Sequence, residues 1–281
     1  MAFLFQFCSM NFLCFNGEIL PTDKALFNAQ NRGFRYGDGV FETMKIFKGK
    51  ILLEPYHFDR LFSGLKMLKI NGSNLSLGKL GEKVLELCSL NNCADLAKVR
   101  LAVYREENIA SYVIETSGLN QSINKLNEKG WVIDIYPHVR KSQDAFANLK
   151  TANYLPYVLA DIYAKENSLN ECLVLNSENN ICDASKANIF LLLKEEIYTP
   201  ALHQGCVSGT MRRFIIEELK SNNIPVHQQN ISEKTLLEAE EVFLTNAING
   251  VRWVENFREK SYSNTFIKNV YRQVFPKLYN L

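Results

Sequence analysis

Residues 136–144, Tyr136-Pro137-His138-Val139-Arg140-Lys141-Ser142-Gln143-Asp144, are polar, hold a proline and show no hydrophobic period. A stretch of that kind reads as a connection between two folded units. The chain is patterned differently on its two sides. Before it, strand signals come first and helices follow, the order of an α+β layer with helices packed on one side of a sheet. After it, short strands alternate with helices. A chain of 281 residues has room for two units of ordinary size. We therefore expect an N-terminal α+β domain over 1–136, a connection over 137–144 and a C-terminal domain over 145–281.

Local signals support the division. Asn16-Gly17 lies between Phe12-Leu13-Cys14-Phe15 and Glu18-Ile19-Leu20, a two-residue hairpin turn between apolar runs. Residues 40–47 alternate with period two and turn at Lys48-Gly49-Lys50 into Ile51-Leu52-Leu53, a second hairpin. Pro55 opens a helix to about Leu68, with Phe58, Leu61, Phe62, Leu65 and Leu68 on one face. A helix is expected over 77–90, and strands over 97–105 and 111–116. Farther on, helices are expected over 152–166, 209–222 and 233–239 and from about 264, with strands near 131–135, 171–175, 188–193, 226–230 and 241–244.

Composition narrows the class. Hydrophobic residues make up 47% and charged residues 22%, the balance of a globular protein with a full core. A net charge of +2 gives no general attraction to nucleic acid or an anionic membrane. The seven cysteines are scattered, odd in number and free of any C-x-x-C, so a reducing cytoplasm is expected rather than a disulfide scaffold. The first residues are apolar but lack a basic flank and a cleavage site, and residues 1–9 read as an extension the fold does not need.

Four segments have the residue types that chemistry needs. Lys150, in Asn148-Leu149-Lys150-Thr151-Ala152-Asn153, ends an irregular stretch just before an amphipathic helix. Most lysines are solvated, but an amine fixed in a cleft has a lowered pKa and can act as nucleophile and proton carrier. Asp183, in Ile181-Cys182-Asp183-Ala184-Ser185, is either a turn residue after Ser177-Glu178-Asn179-Asn180 or a carboxylate at a strand. Ser208-Gly209-Thr210-Met211 opens a helix, where free amides attract an anion; the plainer reading is an ordinary cap at Ser208. Arg60, in His57-Phe58-Asp59-Arg60-Leu61, is either a surface ion-pair partner or a fork for a phosphate.

In this order, and together with Arg32-Gly33-Phe34-Arg35-Tyr36-Gly37-Asp38-Gly39-Val40-Phe41-Glu42-Thr43, these segments resemble the class IV aminotransferases. That family includes branched-chain and D-amino acid aminotransferases and aminodeoxychorismate lyase. The resemblance covers about residues 10–281 and implies an α+β, two-domain D-amino acid aminotransferase-like fold. One part is an α/β sandwich domain and the other a barrel-like α/β domain that binds pyridoxal 5'-phosphate (PLP) in the cleft between them. It implies a homodimer. It also implies that Lys150 bonds PLP and then moves the proton at the substrate carbon, and that Asp183, standing where the family has glutamate, keeps the pyridine nitrogen protonated. Arg60, Gly209, Thr210, Met211 and the turn at Asn246-Ala247 would hold the phosphate.

The same resemblance bears on the reaction. Thr43, the Asn246-Ala247 pair and the short Lys150–Asn153 spacing are similar to the lyases, with Thr43 as a proton donor to the leaving group. The arginine that D-amino acid aminotransferases carry near position 110 is absent, since Ala110 stands there, and Arg105 or Arg35 are the replacements to consider. The expected activity is conversion of 4-amino-4-deoxychorismate to 4-aminobenzoate and pyruvate, feeding folate synthesis. A branched-chain or D-amino acid aminotransferase is the alternative, and a non-catalytic PLP-binding protein a second one. Nothing points to other chemistries: the four histidines lack metal spacing, and no G-x-x-x-x-G-K-[ST], H-E-x-x-H or G-x-S-x-G occurs.

Overall fold

The computed structural model describes residues 11–279, so the expected dispensable extension lies outside the described residues. The first half builds one antiparallel sheet from Phe12–Phe15 (β1), Glu18–Pro21 (β2), Gly39–Phe47 (β3), Lys50–Ile51 (β4), Leu96–Glu106 (β5) and Ile109–Gly118 (β6), in the order β2-β1-β6-β5-β3-β4. Asn16 and Gly17 both take positive φ in the β1–β2 turn, as a tight hairpin requires. A short helix Arg32–Tyr36 (α1) precedes β3, and helices Glu54–Met67 (α2) and Leu77–Leu90 (α3) follow β4.

The two faces of this sheet have different neighbours because side chains alternate along a strand. Val40, Met44 and Ile46 of β3 and Val99, Leu101 and Val103 of β5 point to the helices. They pack on Phe58, Leu61 and Leu65 of α2 and on Leu80, Val84 and Leu87 of α3, which recur at helical spacing. Each such burial stabilises by roughly 1.5–3 kcal/mol before entropy is counted. The alternate residues, Phe41 and Thr43 on β3 and Lys98 and Arg100 on β5, line a cavity on the other side.

The second sheet contains Trp131–Lys141 (β7), Glu171–Asn176 (β8), Ile181–Ala184 (β9), Asn188–Leu193 (β10), Glu196–Pro200 (β11), Val226–Gln229 (β12), Glu241–Asn246 (β13), Gly250–Phe257 (β14) and Lys260–Ser261 (β15). Its order is β12-β11-β10-β13-β14-β7-β8-β9, with β15 on β14. Parallel pairs (β11–β12, β14–β7, β7–β8) mix with antiparallel ones. The sheet curls until its edge strand β9 approaches β10 and β11, which gives the barrel-like form. Its helices are Leu155–Glu166 (α4), Thr210–Ser221 (α5), Glu233–Glu238 (α6) and Thr265–Tyr279 (α7). Phe214, Ile215 and Leu219 of α5 join Ile267 and Val270 of α7 over Phe190 and Phe243. Among the described residues no helix is long and apolar enough to cross a membrane.

The polar segment 137–144 is not where the chain leaves one sheet for the other. Its first five residues belong to β7, which runs through Lys141 and pairs with β8. Pairing is interrupted between Ile135 and Arg140, and Pro137 sits inside that irregularity, where no ladder hydrogen bond is required of it. The chain passes between sheets over residues 119–130, and we propose the domain boundary there.

Candidate active site

The segment that delivers Lys150 is stitched to the first sheet. Phe41 N donates to Lys150 O at 2.9 Å, Ala152 N donates to Gly39 O at 2.9 Å, and Thr151 bridges Val40. From the other side, Asn148 Nδ2 donates to Leu202 O and Cys206 O at 2.7 and 2.6 Å, and Ser208 N donates to Asn148 O at 3.0 Å. The Lys150 side chain thus starts from backbone held between β3 and the approach to α5. Its Nζ lies 4.4 Å from the centre of the Phe41 ring and 5.1 Å from that of Tyr154, with no hydrogen-bond acceptor among the described residues. Burial first, then the Arg60 and Arg100 charges, lower its pKa to about 7 against the partial opposition of Glu42 and Asp183.

Arg60 is neither on the surface nor free to fork onto a ligand from its Nε side. Its Nε and Nη2 donate to Glu42 Oε1 and Oε2 at 2.7 and 2.6 Å, and Nη1 donates to Ser208 O at 2.9 Å. The guanidinium has five N–H bonds, so its outer end keeps donors for the cavity it lines. Glu42 also meets His57 Nδ1 at 2.6 Å. A carboxylate only accepts, so Nδ1 carries the hydrogen; Nε2 is buried without a partner among the described residues. Burial pushes Glu42 up, but the Arg60 and His57 interactions outweigh it and hold the carboxyl at about 2.

Asp183 sits within β9 rather than in a turn, opposite Val174. It is 2% exposed. Tyr157 OH and Val207 N donate to its Oδ2 at 2.6 and 2.8 Å, and Asn188 Nδ2 donates to Oδ1 at 2.8 Å. Oδ1 therefore retains a lone pair. Burial is the leading influence and raises its pKa, opposed by Lys141 and the three donors.

The α5 start has no side-chain cap: Gly209, not Ser208, is the cap residue. The first intrahelical bond is from Arg213 N to Gly209 O, which leaves the amides of Thr210 and Met211 open. A Cβ at Gly209 would lie 1.9 Å from Asn188 Oδ1, so no side chain fits there. In the other turn, Asn246 Oδ1 accepts from Ile248 N and Asn249 N at 3.0 and 2.7 Å, which rigidifies the loop beside Ala247.

One cavity of about 400 Å³ gathers Thr43, Arg60, Lys150, Asp183, Gly209, Thr210, Met211, Asn246 and Ala247, every site residue expected from sequence. It also exposes residues that sequence reasoning missed, chiefly Arg100, Lys98, Tyr154 and Asn188. Arg100 has no hydrogen-bond partner among the described residues, and its guanidinium carbon stands 4.0 Å from the Phe41 ring centre. Alternation of Lys98 and Arg100 with Val99 and Leu101 was the available signal, but it equally describes a solvated strand face. The replacements considered from sequence do not reach the cavity. Arg105 is spent on Asp38 and the carbonyls of Leu68 and Lys69, and Arg35 lies on exposed α1 over Tyr36.

The residues fit PLP. A deprotonatable amine lacks an acceptor among the described residues, two helix-start amides and the outer end of Arg60 are open to an anion, and Asp183 keeps an open lone pair. Thr245, which lines the same cavity, has its Oγ1 buried without a partner among the described residues. Comparison with known proteins agrees. The model of the class IV aminotransferase family matches residues 39–257. The chain is 29% identical to the aminodeoxychorismate lyase of Bacillus subtilis over 83% of this chain and 82% of that one. It is 28% identical to a putative branched-chain-amino-acid aminotransferase of Methanocaldococcus jannaschii over 82% of each. The PLP-bound form of a hypothetical aminotransferase from Mycobacterium tuberculosis superposes with a TM-score of 0.82 at 17% identity, covering 95% of this chain and 98% of that one. With a cleft suited to the cofactor and a family match over most of its length, this chain belongs to the class IV aminotransferases, PLP-dependent enzymes.

Proposed function

We propose that the protein is a lyase that converts 4-amino-4-deoxychorismate to 4-aminobenzoate and pyruvate, a step toward folate. The observation that carries this reading is Thr43. Its side chain makes no hydrogen bond among the described residues, lines the cavity that holds Lys150, and stands in register with Arg100 across β3 and β5. Likeness to the Bacillus subtilis lyase supports it.

Bound PLP supplies an electron sink for negative charge at the substrate carbon. Lys150 would hold the cofactor covalently and, once the incoming substrate amine has displaced it, would accept the proton from the substrate carbon that bears that amine; burial lowers the pKa of the free Lys150 amine to about 7, which suits a base near neutrality. Thr43 hands a proton to the departing enolpyruvyl group as its C–O bond breaks, and the ring becomes aromatic. Asp183 would meet the pyridine nitrogen. Arg60, the Gly209–Met211 helix start and the Asn246-Ala247 turn hold the phosphate. Lys98 and Arg100 face the two carboxylates of the substrate.

The second reading is an aminotransferase of branched-chain or D-amino acids, favoured by an identity to the Methanocaldococcus jannaschii protein only slightly lower. Product analysis separates the two. Wild type should release 4-aminobenzoate from aminodeoxychorismate, and Thr43→Val should lower that rate roughly a hundredfold with PLP still bound. Wild type that releases none yet transaminates leucine or D-alanine would replace the first reading with the second. We further propose a cytoplasmic homodimer. Phe34, Leu155, Val158 and Ile162 expose apolar surface for a second copy, and all six cysteines among the described residues are free and buried, as in a reducing compartment.

A further inference from the structure

The Asp183 carboxyl lies in a place with little solvent, and the three donors that touch it are neutral. A carboxylate in such a setting needs a cation or it takes up a proton. The titratable and charged groups around it are Lys141 on β7, Tyr154 capping and Tyr157 on α4, its neighbour Cys182, Cys206 and Arg212 at the approach to and start of α5, and Lys150. Burial pushes the tyrosines and cysteines up, so they stay neutral near pH 7. Arg212 is committed to Pro200 O and Gln228 Oε1. Lys150 is the amine the cofactor consumes. Lys141 remains: its Nζ is 3.5 Å from Asp183 Oδ2, the one ion pair Asp183 makes among the described residues.

Lys141 is itself buried and oriented. Its Nζ donates to Ala147 O at 2.8 Å and lies 5.1 Å from the centre of the Tyr157 ring. Ala147 is three residues before Lys150. One ammonium thus connects the carboxylate to the backbone that carries the reactive amine. We propose that Lys141 is a positioning residue: it keeps Asp183 charged and fixed toward the cofactor's ring nitrogen while anchoring the segment that leads to Lys150. This rests on the reading of Asp183 as the partner of that nitrogen.

The test uses the full chain with Lys141→Gln, which retains a donor for Ala147 O without the charge, Lys141→Arg, which retains the charge, and Asp183→Asn. PLP affinity is measured by titrating the apoprotein, and the visible band of bound PLP is followed against pH. Lys141→Gln should weaken PLP at least tenfold and displace the midpoint of the spectral titration by about one pH unit or more, with Lys141→Arg close to wild type. Asp183→Asn should weaken PLP as well. A Lys141→Gln protein with wild-type affinity and titration, beside a weakened Asp183→Asn, would overturn the role of Lys141 alone. If Asp183→Asn also binds and titrates like wild type, the reading of Asp183 falls and the role of Lys141 with it. Should Lys141→Gln not fold, Lys141→Arg decides: wild-type behaviour supports the proposal, and lost PLP affinity in a folded protein opposes it.

Discussion

An amine wedged between two aromatic rings and two arginines is a costly place for a proton, and that cost is measurable. Folded Lys150 has a pKa of about 7 against an ordinary 10.5. Between those values the unfolded chain binds more protons at this residue than the folded one, so apoprotein stability rises with pH across that window. Below about 7 the ammonium is present in both states and the burial cost applies in full. Lys150→Met should therefore stabilise the apoprotein at pH 7 by roughly 1–3 kcal/mol and flatten the rise toward pH 10, read from urea midpoints at several pH values. An equal slope in both proteins would place the amine in solvent. Arg100 yields a kinetic expectation. Arg100 lines the cavity with no hydrogen-bond partner among the described residues, so its replacement by alanine should raise KM for a carboxylate substrate about ten- to a hundredfold, the loss of one charge-assisted bond, with PLP affinity unchanged. Unchanged KM would move carboxylate recognition to Lys98 or elsewhere. These two residues differ in how much the sequence reveals. Lys150 stands in a motif with Asn153. Arg100 stands in a strand whose polar face looks solvated until another part of the chain covers it, and such cover is a long-range fact that alternation does not encode.

At the scale of elements, β3 and α2 are joined by the Glu42–His57–Arg60 cluster. The folded carboxyl of Glu42 lies at about 2 against an ordinary 4.5. A depressed acid stabilises above its unfolded value and loses that contribution as pH falls through the folded one, here between about 4.5 and 2. Glu42→Gln should cost roughly 2–4 kcal/mol at neutral pH, because it leaves a buried arginine without its carboxylate, and should remove part of the acid sensitivity below pH 4.5. Chemical denaturation at pH 7 and pH 3 checks both. A loss equal at the two pH values would show that only packing was disturbed. Helix and hairpin signals here were legible because they are local: the Asn16-Gly17 turn, the Pro55 start and the 3–4 spacing of α2 and α3 all appear where expected. β7 was misjudged because its second half is irregular and polar. The residues of β9 read as either turn or strand because Asn179-Asn180 and Asp183 have turn chemistry, and β14 was missed because Arg252, Glu255 and Asn256 break its apolar run. Tertiary pairing overrides both signals.

For the whole molecule, the cavity lies in the seam between the sheets, with walls drawn from β3 and β5 on one side and from β9, β13 and the α5 start on the other. A ligand there binds only the assembled form. Saturating PLP should raise Tm by roughly 5–10 °C over the apoprotein and slow amide exchange at Phe41 and Ala152, whose hydrogen bonds cross the seam. Protection confined to the α5 start would indicate that PLP leaves the seam unaffected. The two-part plan was readable from the change in texture along the chain, whereas the curl of the second sheet and its mixed strand order were not, since no local pattern records which distant strands become neighbours.

The pairing of residues 150–152 with Gly39–Phe41 uses main-chain groups alone. Such bonds are indifferent to the side chains that the paired residues carry. Position 43, two residues farther along the same strand, is free to vary without disturbing where the amine sits. On the role proposed for Thr43, exchanging its hydroxyl for a hydrogen or a methyl would alter the reaction while leaving the main-chain pairing beside Lys150 in place.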